Sequence, residues 1–415
     1  MSDSPGPDAP STQARPTPPP SGGGYPALLR HPVIRRAALG AFIGRLPTGV
    51  TALAIMLLVQ QRGGTFRDAG TVVATYSLAA AISGPFVGRL VDRAGPRVLF
   101  GCAAVNLAGM VAVVAASGAG DLLWTAAASL VTGAAQPSLT SAFRALCANR
   151  LSDPRTRTTA YSLDAITIEI IFVAGPPLAA AGAATGRPEL SLYGAGLATA
   201  LGTALFVSAA GLRPQTGDAR TRNPGSHVLR ERVLWTLMAV SALAAAAVAF
   251  AEVSVLARSV EAGAGAISGL ILALWAAGSI TGGIVYGSRS WPGTSRAQLA
   301  LVLTAAALLF LPLAAPGSLL ILAPAAIVAG IALAPALTII SSILGFCVPP
   351  RAKTEAFGWV AAASTLGSSF GYALAGAVTD LANERVTVLC GTALAALAVP
   401  LALCLPRRAD RAVTR

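Results

Sequence analysis

The 415-residue chain is 54% hydrophobic and only 11% charged, which excludes an ordinary soluble domain, where about a quarter of residues are charged. Its formal net charge of +13 does not indicate a nucleic-acid partner, because the Lys and Arg residues are scattered between apolar runs. The five cysteines show no metal or redox spacing. We therefore expect a membrane protein surrounded by the lipid bilayer, without a metal or other cofactor.

Residues 1–30 are rich in Pro, Ser and Gly, and we expect them to form a disordered tail and not a secretory signal. The rest of the chain contains twelve apolar windows, each long enough to cross about 30 Å of hydrocarbon as a helix. This pattern predicts an all-α fold with twelve transmembrane helices. The windows lie near residues 36–60, 69–91, 97–117, 122–146, 158–184, 190–211, 233–257, 264–288, 297–315, 318–346, 355–379 and 386–405.

Basic residues alternate in number between successive connections. The two chain ends and the connections that follow even-numbered windows carry 24 of the 30 Lys and Arg residues, Arg144 among them. The opposite connections carry five, and Arg45 lies inside the first window. Because basic connections stay on the cytoplasmic side, we expect both termini in the cytoplasm and the protein in the plasma membrane.

The two halves of the chain resemble each other. Residues 157–180 align without a gap on residues 353–376, at an offset of 196 that pairs Gly175 with Gly371. Two further pairs of windows align at offsets of 199 and 198, which makes chance similarity between Ala- and Gly-rich helices a poor alternative. We expect two pseudo-symmetric six-helix bundles, a cytoplasmic linker between them and a cytoplasmic tail, at residues 31–211, 233–405, 212–232 and 406–415 respectively.

A motif with the sequence GPFVGRLVDRAGPR joins the second and third windows. With this motif and six plus six helices around a basic central connection, the chain resembles the major facilitator superfamily, and in particular an actinobacterial type of efflux permease. The resemblance implies a conformational gate in which Asp92 contacts the start of window eleven near Thr354 and Glu355. A basic loop that only orients the helices is the alternative. The gate residues are Gly88, Asp92, Arg93, Gly95 and Arg97.

The fifth window contains FVAGPPL, which is similar to the core of the antiporter motif of that family. Gly175 and Pro176 match the motif, whereas Ile171, Ala179 and Ala180 stand where the full motif has glycines. We expect the pair to bend the helix and to pack at the interface between the two halves. A kink without any role in export is the alternative.

Four ionisable residues lie inside apolar windows: Arg45, Asp164, Glu169 and Glu252. A charge near the middle of the bilayer costs at least ~2.5 kcal/mol, so each is a candidate for proton coupling. Asp164 and Glu169 are five residues apart, which rotates them by about 140° on a helix and predicts different faces. Glu169 is the first choice as proton carrier. The alternatives are that Arg45 only pairs with one of these acids and that Glu252 lies at the membrane rim.

Six polar residues provide candidates for a substrate cavity, and hydrogen bonding between helices is their alternative role. They are Thr48, Thr51, Gln136, Ser138, Thr338 and Ser341.

The resemblance implies a monomeric secondary transporter, and the acids and the Gly-Pro pair favour proton-coupled export of a drug or metabolite by antiport. A proton-coupled importer of a sugar, amino acid or organic acid is the alternative. We do not expect a membrane enzyme or receptor, because the two histidines, His31 and His227, lie in cytoplasmic linker positions and the sequence shows no catalytic cluster of His, Asp or Cys at a membrane surface. The sequence has no GxxxxGK[ST] loop either, so we do not expect ATP as a direct energy source.

Overall fold

The computed structural model describes residues 24–211, 228–261, 268–314 and 319–412, and in these ranges the regular structure is helical. The α-helices in these ranges are α1 (Tyr25–Leu29), α2 (Pro32–Gln61), α3 (Phe66–Ala94), α4 (Val98–Gly118), α5 (Leu122–Ala134), α6 (Leu139–Arg150), α7 (Pro154–Ala184), α8 (Glu189–Ala210), α9 (Arg232–Glu261), α10 (Ser268–Ser288), α11 (Ser295–Phe310), α12 (Leu319–Gly330), α13 (Leu333–Cys347), α14 (Lys353–Leu381) and α15 (Glu384–Leu403).

These helices confirm the twelve predicted crossings. Ten helical segments are long and apolar enough to span a membrane by themselves, and α12 with α13 counts as one of them. The other two crossings are α5 with α6, which is interrupted around Pro137, and α14, whose Ser, Thr and Gly residues lower its hydropathy. Proline lacks a backbone N–H and therefore interrupts the helical hydrogen bonds at this break.

The described residues nearest to the two chain ends include helical turns. The expectation of a disordered tail up to residue 30 is wrong for residues 24–30, because Tyr25–Leu29 form α1 and the Leu28 side chain is only 1% exposed. Residues 1–23, and residues 212–227 of the predicted linker, lie outside the described residues. Near the C-terminus, residues 407–411 form a 3₁₀ turn, in which Asp410 pairs with Arg296 at 2.6 Å.

The two halves are built in the same way. In the first half α2 packs on α7 and α8, and in the second half α9 packs on α14 and α15. Gly175 approaches α2 so closely that a Cβ would lie 2.3 Å from the carbonyl oxygen of Gly49. The equivalent Gly371 approaches Ala246 of α9 in the same manner. Two pseudo-symmetric six-helix bundles, as predicted, account for these matched contacts.

Two seams join the halves, one between α3 and α14 and the other between α7 and α10. We call the face of the molecule near Leu28 and Leu405 the terminal side, because both residues belong to one buried cluster close to the two described chain ends. Hydrogen bonds across the seams extend from the terminal ends of the four helices to Glu169 and Ser279 near their middle. The molecule is therefore closed on its terminal side.

Candidate functional site

A cluster of charged side chains lies in the middle of the first bundle. Arg45 of α2 binds one carboxylate oxygen of Asp164 at 2.6 Å, and the Nε of Arg144 of α6 binds the other at 2.7 Å. The Asp164 side chain is completely buried, and Arg45 also donates to the backbone carbonyl of Ala41 at 2.9 Å. Because both carboxylate oxygens are occupied by guanidinium groups, Asp164 connects three helices as a structural anion.

Arg144 is a residue that the sequence analysis placed wrongly. It was counted among the cations of a connection, whereas it lies within α6 and is 7% exposed. The break around Pro137 divides the fourth crossing, and Arg144 lies near the end of the predicted window 122–146, where its charge was assigned to the connection that follows. The sequence did contain a signal for a helix here, because the apolar residues Phe143 and Leu146 lie three residues apart on either side of Arg144, and both are buried.

Glu169 has a different environment although it lies on the same helix as Asp164. Its side chain is buried and accepts a hydrogen bond from the hydroxyl of Ser279, on α10, at 3.0 Å across the seam. Glu252 of α9 interacts electrostatically with Glu169 and accepts a hydrogen bond from Tyr372 of α14. In the part of the chain that the structure describes, neither glutamate forms a salt bridge. Two carboxylates from different halves thus influence each other, and neither has an Arg or Lys partner among the described residues.

The gate motif crosses the seam between α3 and α14. The carboxylate of Asp92 accepts hydrogen bonds from the backbone N–H groups of Thr354 at 3.2 Å and Glu355 at 2.9 Å. These groups need an acceptor because residue Ala352, which precedes α14, has no capping side chain. Arg89, which the sequence analysis did not single out, pairs with Glu355 at 2.6 Å. The expected contact is therefore present.

The glycines of the motif allow this close approach, whereas Arg93 and Arg97 point elsewhere. A Cβ on Gly88 would lie 2.7 Å from the carbonyl oxygen of Thr354, and Gly95 ends α3 with a φ of 86°. Arg93 and Arg97 are exposed, and Arg97 donates to the carbonyl of Ala94 at 3.0 Å in its own half.

The described contact of the Gly-Pro pair is within the first bundle. Gly175 packs against Gly49 of α2, and Pro176 is exposed. Packing of the pair at the interface between the halves stays a prediction. Because Gly175 has no Cβ, the backbones of α2 and α7 can approach each other closely.

The described hydrogen bonds of the six cavity candidates are of two kinds. Gln136 accepts hydrogen bonds from Tyr76 at 3.2 Å and from Asn106 at 3.0 Å, and Ser138 donates to the carbonyl of Gly84, so these two residues tie the break between α5 and α6 to neighbouring helices. The other bonds are local: Thr48 donates to the carbonyl of Arg45, Thr338 to that of Ala334 and Ser341 to that of Leu337, while Thr51 is fully buried.

Comparisons with known proteins agree with this architecture. The model of the Major Facilitator Superfamily matches residues 37–323, and no curated protein matches the chain in sequence. The fold is similar to that of the human organic anion transporter MFSD10 (TETRAN), with a TM-score of 0.72 and 17% identity over 89% of this chain and 98% of that one.

Two bacterial structures have a similar fold. The transporter FucP in its outward conformation matches with a TM-score of 0.69 and 13% identity, over 92% of this chain and 100% of that one. A bacterial homologue of the iron transporter ferroportin in an outward-facing state matches with a TM-score of 0.69 and 13% identity, over 89% of this chain and 98% of that one. At these identities the likeness concerns the fold alone.

Proposed function

Because the chain belongs to the major facilitator superfamily, we propose that it is a secondary active transporter that exports a drug or metabolite in exchange for protons. It is a multi-pass membrane transporter and not an enzyme. The observation that carries the proposal of proton coupling is the environment of Glu169, a buried carboxylate at the seam between the halves that has no salt-bridge partner among the described residues.

The coupling follows from the cost of a charge in a low-dielectric region. A carboxylate without a cationic partner is costly to bury and is relieved by binding a proton. The bond between Glu169 and Ser279 crosses the seam, so opening that seam changes the surroundings of the carboxylate. Protonation and the closure of the terminal side then favour each other, which is the linkage that an antiporter needs.

The terminal side is the cytoplasmic side in this proposal, and the protein is a monomer in the plasma membrane. The excess of basic residues in the connections on that side supports the orientation. The closed seams then correspond to a state that opens away from the cytoplasm, and Asp92 with its partners on α14 forms the cytoplasmic gate.

Import is the second candidate. The Gly-Pro motif lacks the flanking glycines of the antiporter pattern at Ile171, Ala179 and Ala180. A chain of similar fold is the fucose:proton symporter of E. coli, with 14% identity and a TM-score of 0.69. A proton-coupled importer of a sugar, amino acid or organic acid uses the same acids with the opposite direction of flux.

The test is transport in proteoliposomes that contain a pH-sensitive dye, with a panel of fluorescent drugs and of labelled sugars, amino acids and organic acids. Substrate addition should move protons with the wild type and with Glu189→Gln, a control outside the site, but at least tenfold less with Glu169→Gln. An undiminished response of Glu169→Gln removes the proposed carrier. Whole cells decide the direction, because an exporter lowers the internal concentration of its substrate and an importer raises it.

A further inference from the structure

The two seams are closed by different means. At the repeat offset of 199, the position of Asp92 in the first half corresponds to Trp291 in the second. In addition α3 continues to Ala94, whereas α10 ends at Ser288, before the equivalent position 293. The indole of Trp291 donates to the carbonyl of Tyr286 within the second half. Among the described residues, the terminal end of the seam between α7 and α10 therefore has no counterpart of the contact that Asp92 makes between α3 and α14.

Tyr25 of helix α1 reaches α10 in its last turns, near Gly283 and Gly287. The hydroxyl of Tyr25 donates to the carbonyl oxygen of Gly283 at 3.1 Å and lies 3.2 Å from the hydroxyl oxygen of Ser162. Ser162 also donates to Gly283, so one carbonyl of the second half receives two hydroxyl groups of the first. A Cβ on Gly287 would lie 2.6 Å from the Tyr25 hydroxyl, and only glycine leaves room for it there.

The rest of α1 is fixed to the first half. It contacts α2 and α7, and the Leu28 side chain is buried in the cluster on the terminal side. The hydroxyl of Tyr25 consequently reaches across the seam from a segment that is anchored on one side of it. When α7 and α10 separate on the terminal side, the hydrogen bond to Gly283 breaks.

We propose that α1 is a second latch, which holds the seam between α7 and α10 closed through Tyr25 in place of the missing acidic contact. Helix α7 needs no carboxylate from the other half, because Asp153 already caps its N-terminus at Arg155 and Thr156. The latch belongs to the closed terminal state whatever the substrate and whichever the direction of transport. Its test is independent of the proposed function for that reason.

The experiment measures the width of this seam. In a variant without the five native cysteines, spin labels are attached at Arg155→Cys and Ser288→Cys, two exposed positions on either side of the seam, in lipid nanodiscs. Electron–electron distance distributions give the ratio of open to closed molecules. Tyr25→Phe should raise this ratio roughly two- to tenfold, the range that one net hydrogen bond supports, and Tyr25→Ala at least as much.

The matched control is Tyr286→Phe. It removes a tyrosine hydroxyl that donates to Gln298 at 2.6 Å inside the second half, and it should leave the ratio unchanged. An unchanged ratio in both Tyr25 variants overturns the proposal. A rise in Tyr286→Phe equal to that in Tyr25→Phe also overturns it, because the effect is then a general loosening of the protein.

Discussion

Two carboxylates on α7, five residues apart, have opposite environments. Asp164 is held by two guanidinium groups within one bundle, whereas Glu169 faces the other bundle and receives one neutral hydroxyl. Both are buried, so burial alone does not distinguish their roles. The difference lies in the partners: a carboxylate with its cations in place stays ionised and supports the fold, while one without them is available for a proton.

The largest expected effect is a difference in the free energy of unfolding between variants of Asp164 and of Glu169. Asp164→Asn leaves two buried guanidinium groups without an anion and should lower the free energy of unfolding by about 3–5 kcal/mol. Glu169→Gln is the same chemical change about 1.4 helical turns away and should cost about 1 kcal/mol or less, because no salt bridge among the described residues is lost. Reversible unfolding in mixed micelles measures both. Equal losses would contradict the comparison.

The next prediction separates the contributions of Arg45 and Arg144, the two cations that bind Asp164, to the free energy of unfolding. Arg45→Gln and Arg144→Gln each remove one charge-assisted hydrogen bond, and each should cost about 1.5–3 kcal/mol. The double variant leaves Asp164 unpaired in a buried site, so its loss should exceed the sum of the single losses. A double-mutant cycle on unfolding free energies measures this coupling. Additive losses would mean that the two arginines act independently and that Asp164 is not their common centre.

A smaller effect concerns the bond of Glu169 across the seam. Ser279→Ala removes its hydroxyl donor and should weaken the association of α7 with α10 by about 1 kcal/mol. The distance distribution across the seam should broaden, while the unfolding free energy of Asp164 variants should be unaffected by this change. Thr281→Ala is the control, because Thr281 is on the same helix and donates to the carbonyl of Ala277 in its own half. A broadening of the same size in the control would contradict the assignment.

Hydropathy and basic residues were sufficient to predict the twelve crossings, because lipid imposes an apolar length on each of them. Arg144 and α1 were missed for one reason. Arg144 lies at the end of an apolar window and α1 lies outside any window, but both are ordered by contacts with distant parts of the chain: Arg144 by Asp164, and α1 by Ser162 and Gly283. Such contacts depend on how the bundles pack, which composition does not contain.

The candidate site, like the fold, could be predicted only in part: its charged residues could be identified, but not their partners. The charge cost in lipid singled out Arg45, Asp164 and Glu169, and the helical rotation between the two acids predicted separate faces. The choice between pairing and proton exchange was open until the structure gave each acid its neighbours. Glu169 is distinguished by Ser279 of the other half, a partner 110 residues away that no local pattern indicates.

The smallest expected effect uses a third carboxylate, Asp153, at the exposed start of α7. Its side chain accepts hydrogen bonds from the backbone N–H groups of Arg155 and Thr156, and Asp153→Ala should cost about 1 kcal/mol of unfolding free energy. Partial burial raises the pKa of Asp153, but hydrogen bonds from the side chain and backbone of Thr156 and from the backbone of Arg155 outweigh it and lower the pKa below 3.8.

Because the folded pKa of Asp153 is below its unfolded value, its contribution is present above about pH 4 and is lost as the pH falls through the folded pKa. Asp153→Asn keeps a capping oxygen and should remove this pH dependence at little cost in stability. Unfolding free energies of wild type and both variants between pH 7 and about pH 3 test this. If Asp153→Ala lowered the free energy of unfolding as much as Asp164→Asn does, solvent exposure would not explain the different contributions of these two carboxylates.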